Sequence, residues 1–276
     1  MNVAFICVNY NNSFHTINWV NSLLKHTNDD CLVIVDNNSE QEDIKILNDF
    51  IKSINFQLVS KIIIIESSLN LGYFGGLNLG LSKLNTSKFD YIIIGNNDLV
   101  FSENFRFELN NININDNTFV VSPNIINLNG YEQNPHVLKK FNFFKRVYYF
   151  FSFQNYFIFN IFVFVAYLKG KYTRKVIFSF KHKSQFIYMG YGACYLLTRN
   201  YFKYFNELPN SLFLMGEEAL LSNQVFSKNG KILYVPTLSI KHIEHASISK
   251  LNSRILFNRM KFAYNYHKNN SKFINY

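Results

Sequence analysis

Along the first third of the chain, apolar residues come in short blocks, and each block ends in a polar cluster. "NVAFICVNY" has the composition of a buried strand, and "FHTINWVNSLLKHT" then brings apolar positions back at helical spacing (Ile17, Val20, Leu24). The same alternation continues through strand "CLVIVDNNS", helix "EQEDIKILNDFIKSI", strand "KIIIIESS", helix "GGLNLGLSKLN" and strand "YIIIGNND". Strand and helix at this pace predict an α/β fold with a doubly wound, mostly parallel sheet. The four strands end in "NYNN", "DNNS", "ESSLN" and "GNND". One such terminus is a turn, because Gly, Asn and Asp are turn residues. Four on one parallel sheet share an edge, and that edge is where open α/β sheets take ligands.

The pattern changes between about residues 134 and 187, where "FNFFKRVYYFFSFQNYFIFNIFVFVAYLKGKYTRKVIF" is dense in Phe and Tyr. No charge interrupts Val147 to Leu168, a run just long enough to cross a bilayer. Ser152, Gln154, Asn155 and Asn160 lie inside it, however, and a span would put two halves of one sheet on opposite sides of a membrane. The segment is expected to be an interfacial amphipathic element with aromatic and basic anchors; a pair of aromatic core helices is the alternative. Beyond it, "YMGYGACYLLTRNYF" predicts a strand and a helix start. "NSLFLMGEEALLSNQVFSKNG" predicts a helix capped by Gly230, and "KILYVPTLSIKHIEHAS" a late strand with a polar loop. The tail "RILFNRMKFAYNYHKNN" predicts a basic helix with an apolar stripe.

Composition adds a globular chain, with 48% hydrophobic and 17% charged residues. Cys7, Cys31 and Cys194 sit in apolar surroundings without metal-type spacing and are expected to be buried, reduced thiols. "MNVAFICVNYNN" lacks a basic leader and is expected to be a first strand, not a signal peptide. The 28 Lys+Arg against 18 Asp+Glu give a formal net charge of +10, which favours anionic partners. The charge is concentrated: no acidic residue lies between Glu132 and Glu207, while Lys139, Lys140, Lys145, Arg146, Lys169, Lys171, Arg174, Lys175, Lys181 and Lys183 do. These cations flank aromatic apolar runs instead of forming a polar stripe, so no nucleic-acid partner is expected.

"VNYNN", "VDNNS", "NLGYFGGLNLGL", "NND", "GEEALL" and a later "H…S", in that order, resemble family-2 glycosyltransferases of the GT-A fold. The similarity is to rhamnosyltransferase-like bacterial enzymes that build surface polysaccharide or lipooligosaccharide, and it covers residues 1–126 and 188–262. It implies a nucleotide-sugar-binding half (1–126), a variable acceptor or membrane-contact insertion (127–187), and an acceptor-side catalytic half with a C-terminal helix (188–276). It also implies an inverting transfer from a UDP- or dTDP-sugar to a glycan or lipid-linked glycan acceptor. The expected location is cytoplasmic, on the anionic inner face of the cell membrane.

The resemblance assigns roles by position. Asp36 recognises the base, where its carboxylate can accept the N3–H of uracil or thymine; as a residue at a strand end it also suits an Asx-turn or N-cap. Asn9, Asn11 and Asn38 lie in the same strand-end clusters. Asn70, Gly72, Gly76 and Asn78 form a tight loop opening a helix, with glycines that permit close backbone approach. "NND" takes the place of the family's DxD motif, with Asn96 for the first carboxylate. Asp98 then binds Mg²⁺ or Mn²⁺ across the diphosphate, and His242 lies beside it, with His245 as a second candidate. Glu218 is the general base and Glu217 its competitor, both also favoured at a helix N-terminus by the macrodipole. Leu220 stands where relatives carry a further acid, and Arg259 with Lys261 stands where they carry an "RN" pair, here reversed. A nucleotidyltransferase and a non-catalytic glycan- or lipid-binding module are the competing functions. "VNYNNSFH" lacks the "GxGxR" loop of the former, and the retained Asp98 and Glu218 speak against the latter.

Overall fold

The computed structural model describes residues 1–25, 30–54, 61–173, 183–243 and 253–270, with side chains left aside for 167–173. The predicted alternation is present as β1 (Val3–Asn9), α1 (Ser13–Leu24), β2 (Cys31–Asp36), α2 (Gln41–Ser53), β3 (Ile62–Glu66), α3 (Gly72–Leu81) and β4 (Tyr91–Asn96). β5 (Leu99–Phe101), α4 (Phe105–Asn110), β6 (Thr118–Asn127), α5 (Phe143–Ser152), α6 (Tyr156–Thr173) and β7 (Gln185–Ile187) follow. The chain continues through β8 (Cys194–Thr198), α7 (Arg199–Phe202), α8 (Glu217–Ser227), β9 (Lys231–His242) and α9 (Ser253–Asn270).

The strands form one sheet in the order β3-β2-β1-β4-β8-β6-β9-β5, with β7 on β9. β1 to β4 are mutually parallel, and β6 and β9 run with them. β5, β7 and β8 run the other way. Because β8 is antiparallel and sits between β4 and β6, its N-terminal end meets the carboxyl end of β4, at Gly95 opposite Cys194. The later part of the chain therefore reaches the strand-end edge identified from the sequence.

Both faces of the sheet are covered, as near-continuous apolar strands require. On one face Phe5, Cys7, Ile34 and Ile93 pack with Trp19, Val20, Leu23 and Leu47 from α1 and α2. On the other, Ile6, Val35, Ile92 and Ile94 pack with Phe74 and Leu77 of α3, and with Leu221 and Val225 of α8. Cys7 and Cys194 are buried and Cys31 partly so, all three as free thiols.

The aromatic run folds as two helices, not one. Asn155 accepts the Ile158 amide at 2.9 Å and starts α6 afresh, as Asn142 accepts the Lys145 amide at 2.9 Å to start α5. No described helix is long and apolar enough to cross a membrane. Phe153 and Phe159 pack against Phe257 and Tyr264 of α9, so the inner face is core. The outer face is exposed, with Phe144 at 79% and Phe157 at 74%. The "NSLFLMGEEALL" helix begins only at Glu217, and its end departs from expectation: Asn229, not Gly230, takes the left-handed position (φ 57°). Asn is the non-glycine residue that tolerates this best.

Candidate active site

The strand-end edge is built by two polar networks. In the first, Asn9 Nδ2 donates to Asp36 Oδ1 at 2.8 Å and to Asp43 Oδ2 at 2.8 Å, while Asn9 Oδ1 accepts from Thr16 Oγ1 at 2.8 Å. Asp36 Oδ2 accepts the Ser39 amide at 3.0 Å, and the residue is 1% exposed. Asn11 ties the β1 and β2 loops together: its amide donates to Ser39 Oγ at 2.8 Å and its Oδ1 accepts the Glu40 amide at 2.7 Å. Asn11 and Asn38 both have left-handed backbones (φ 50° and 68°) and are exposed at the mouth of this network, next to exposed Tyr10. The network joins Asn9, Asn11 and Asp36; Asn38 stands at its rim.

The glycine-rich stretch divides. Asn37, which the sequence analysis passed over, donates to Asn70 Oδ1 at 3.0 Å and to the Gly72 carbonyl at 3.1 Å, and accepts the Leu71 amide at 2.9 Å. Asn70 Oδ1 also accepts the Gly72 amide at 3.0 Å. Gly76 faces the sheet, where an added Cβ would stand 2.9 Å from Val8 Cγ2. Asn78 lies two residues further along α3, toward another side of the helix, and clips the Leu208 backbone from both sides, at 2.8 and 2.7 Å. It joins α3 to the later part of the chain and is not gathered with the others.

The second network centres on Asp98, in the turn between β4 and β5. His242, at the end of β9, places Nε2 3.2 Å from Asp98 Oδ1. Its Nδ1 lies 2.8 Å from Gln133 Oε1, and Asn96 Nδ2 is 3.5 Å from Nε2. An amide oxygen only accepts, so Nδ1 donates to Gln133 and Nε2 is the ring atom that meets Asp98. Burial works to raise the Asp98 carboxyl, but the hydrogen bond and charge of His242, with His15 adding to them, hold it below the usual carboxylate range. One carboxylate and one imidazole suit Mn²⁺ or Mg²⁺ completed by diphosphate oxygens and waters. Among the described residues no group of three or more His, Cys, Asp or Glu side chains surrounds a common point. His245 lies outside the described residues.

Glu217 and Glu218 open α8 on the far side of the same edge. Glu217 is 6% exposed; burial, and then the Glu218 charge, push its carboxyl up to about 8. Its Oε1 is buried without a hydrogen-bond partner. Glu218 is half-buried and leans over Gly192, where an added Cβ would stand 2.6 Å from its Oε1.

Two tyrosines tie the carboxylates to the Asp98 end. The Tyr73 hydroxyl donates to the Gly192 carbonyl at 3.1 Å and feels the charges of Glu217, Asp98 and Glu218 together. The Tyr191 ring lies 6.1 Å from the His242 ring and 5.7 Å from that of His136, itself close enough to Glu218 to feel its charge. The segment Tyr191–Ala193 thus runs between the two ends, held by the Asn96 amide donating to Ala193 O at 2.9 Å. None of Tyr73, Gln133, His136, Tyr191 or Gly192 stands out in the sequence; the only signal is the "GYG" spacing in "YMGYGACYL".

The Glycosyl transferase family 2 profile matches residues 5–174. The chain belongs to this family. Among solved structures, GalNAc-T7 with UDP, GalNAc and Mn2+ superposes with a TM-score of 0.60 at 17% identity, covering 90% of this chain and 44% of that one. S. aureus TarS superposes with a TM-score of 0.57 at 11% identity, covering 99% and 40%. The TarS 1–349 structure gives 0.55 at 11% identity, covering 99% and 66%. The family-2 chain therefore spans less than half the length of the first two and about two thirds of the third. At these identities the likeness establishes the GT-A fold. No curated protein sequence matches the chain significantly.

Proposed function

We propose that this family-2 chain is an inverting glycosyltransferase that moves a sugar from a nucleoside diphosphate donor to a hydroxyl of a glycan or lipid-linked glycan acceptor. The observation that carries the reading is the Tyr191–Ala193 segment: the Tyr73 hydroxyl and Glu218 meet it at Gly192 and the Asn96 amide holds it at Ala193, so the Asp98 end and a carboxylate that can act as base share one edge. Glu218, on the solvent-open side of the pair, takes the acceptor proton as the acceptor oxygen bonds to the anomeric carbon. The bond from that carbon to the diphosphate oxygen breaks, and the nucleoside diphosphate leaves from the opposite face. Asp98 and His242 would hold a divalent cation there, which would supply charge neutralisation for the leaving diphosphate. Asp36 and Asn9 shape the base-binding mouth by fixing the loops that present Tyr10, Asn11 and Asn38 to the donor.

The exposed faces of α5 and α6 suit an anionic lipid surface. Phe143, Phe144 and Phe157 project from them beside exposed Lys139, Lys140 and Lys145. Contact through these side chains places a lipid-linked acceptor near the edge. The testing experiment is a screen of UDP- and dTDP-sugars for nucleotide release by the purified protein, with and without Mn²⁺. Release from one donor, stimulated by metal and by a glycan acceptor, is expected. No release from any donor overturns the reading.

A further inference from the structure

The turn that delivers Glu217 and Glu218 is built from two successive left-handed residues, Met215 (φ 73°) and Gly216 (φ 91°). A methionine in that region is uncommon and persists where the surroundings over-determine it. Here the turn is clamped from two sides. On the donor side, Gly72 lies against it so tightly that an added Cβ would stand 2.4 Å from the Phe213 carbonyl oxygen. On the other side lies α9. An added Cβ at Gly216 would meet His267 Nε2 at 3.0 Å and Ala263 Cβ at 3.1 Å.

His267 is 1% exposed, and its Nε2 stands 3.0 Å from the Gly216 carbonyl oxygen. That oxygen already accepts the amides of Ala219 at 3.1 Å and Leu220 at 3.2 Å, the first intrahelical bonds of α8. A carbonyl only accepts, so Nε2 carries the hydrogen and the neutral imidazole suffices. Burial holds this ring neutral, lowering its pKa to about 4 against the opposing pull of the Gly216 carbonyl. Leu212, Leu220 and Ala263 close over the contact as a small apolar cluster of their own.

We propose that His267 is a positioning residue for the transfer reaction: by donating to the Gly216 carbonyl it fixes where α8 begins, and so where the Glu218 carboxylate stands over Gly192. The inference rests on Glu218 as the base. A shift of the helix start by about an ångström is enough to cost on the order of a hundredfold in rate, while the donor site at Asp98 and Asp36 is untouched.

The test compares His267→Gln, whose amide can donate to the same carbonyl, with His267→Leu, which fills the space but donates nothing. Turnover is measured on the donor found in the screen, and UDP binding in Mn²⁺ by calorimetry, both below each variant's melting midpoint. His267→Leu is expected to bind UDP within about twofold of wild type and to lose at least about tenfold in kcat, with His267→Gln recovering most of the loss. Equal kcat for the Leu variant and wild type, or equal loss in the Leu and Gln variants, overturns the proposal. Glu218→Gln run beside them separates the two ideas. If it retains turnover, the base assignment fails; if it is inactive while His267→Leu runs at the wild-type rate, only the positioning role fails.

Discussion

His242 Nε2 stands 3.2 Å from Asp98 Oδ1, which joins the end of β9 to the turn after β4 at the strand-end edge. A cation held here should bind only when both side chains are intact. Asp98→Asn and His242→Ala are expected to weaken Mn²⁺-dependent UDP binding at least about tenfold, and EDTA to silence the wild type. Full turnover in EDTA would remove the metal role. The direct measurement is Mn²⁺ titration by electron paramagnetic resonance with UDP present.

Glu218 and Glu217 have different surroundings, and the variants should differ accordingly. Glu218→Gln is expected to bind UDP normally and lose about 10²–10⁴ in kcat, the usual contribution of a positioned base. Gly192→Ala should mimic part of this loss, because the new Cβ displaces the Glu218 carboxylate. A dead Glu217→Gln beside an active Glu218→Gln would shift the base by one residue.

Glu217 also carries a stability signature. Its pKa rises from 4.5 to about 8 on folding. Between those values the folded chain holds a proton that the unfolded chain has lost, so this residue lowers stability as pH rises from 4.5 to 8. Urea unfolding of Glu217→Gln is expected to lack that decline. The opposite sign holds for His267, whose folded pKa lies near 4. Its contribution is complete above the ordinary histidine value and is lost as pH falls toward 4.

Asp36 is predicted to matter first for stability. With both oxygens occupied by Asn9 and Ser39, Asp36→Asn should cost about 1.5–3 kcal/mol in urea unfolding, the range for hydrogen bonds to a charged group. Asn38→Ala, at the exposed rim, should change stability by less than about 0.5 kcal/mol and weaken UDP binding. A stable Asp36→Asn that fails to bind UDP would place the carboxylate on the base directly.

The outward faces of α5 and α6 should bind anionic vesicles. Changing Lys139, Lys140, Lys145 and Arg146 to Ser removes about 1 kcal/mol each near an anionic leaflet, and Phe144→Ser with Phe157→Ser removes about 1.5–3 kcal/mol each. Both sets should reduce co-sedimentation while donor hydrolysis persists. Equal binding to neutral and anionic vesicles would remove the electrostatic part, and no binding to either would remove the membrane face altogether.

Local pattern was sufficient for the parallel half of the sheet. Apolar blocks ending in "NYNN", "DNNS" and "GNND" specify buried strands and their polar ends within a few residues of each other, so β1, β2 and β4 and their shared edge could be read directly. Asn155 was visible too, as a polar residue inside an apolar run, but its effect as the cap that divides α5 from α6 depends on backbone geometry. The rest is long-range. That β8 runs antiparallel beside β4, carrying Gly192 under Glu218, follows from pairing between segments a hundred residues apart, which leaves no periodicity in the sequence. Asn70 and Asn78 share one motif, yet one shapes the loop and the other clips Leu208, because Asn70 lies in the loop before α3 and Asn78 on the second turn of the helix itself. His267 reads as one more polar residue on a basic tail; only the packing of α9 against Gly216 buries it and gives its Nε2–H a carbonyl to hold.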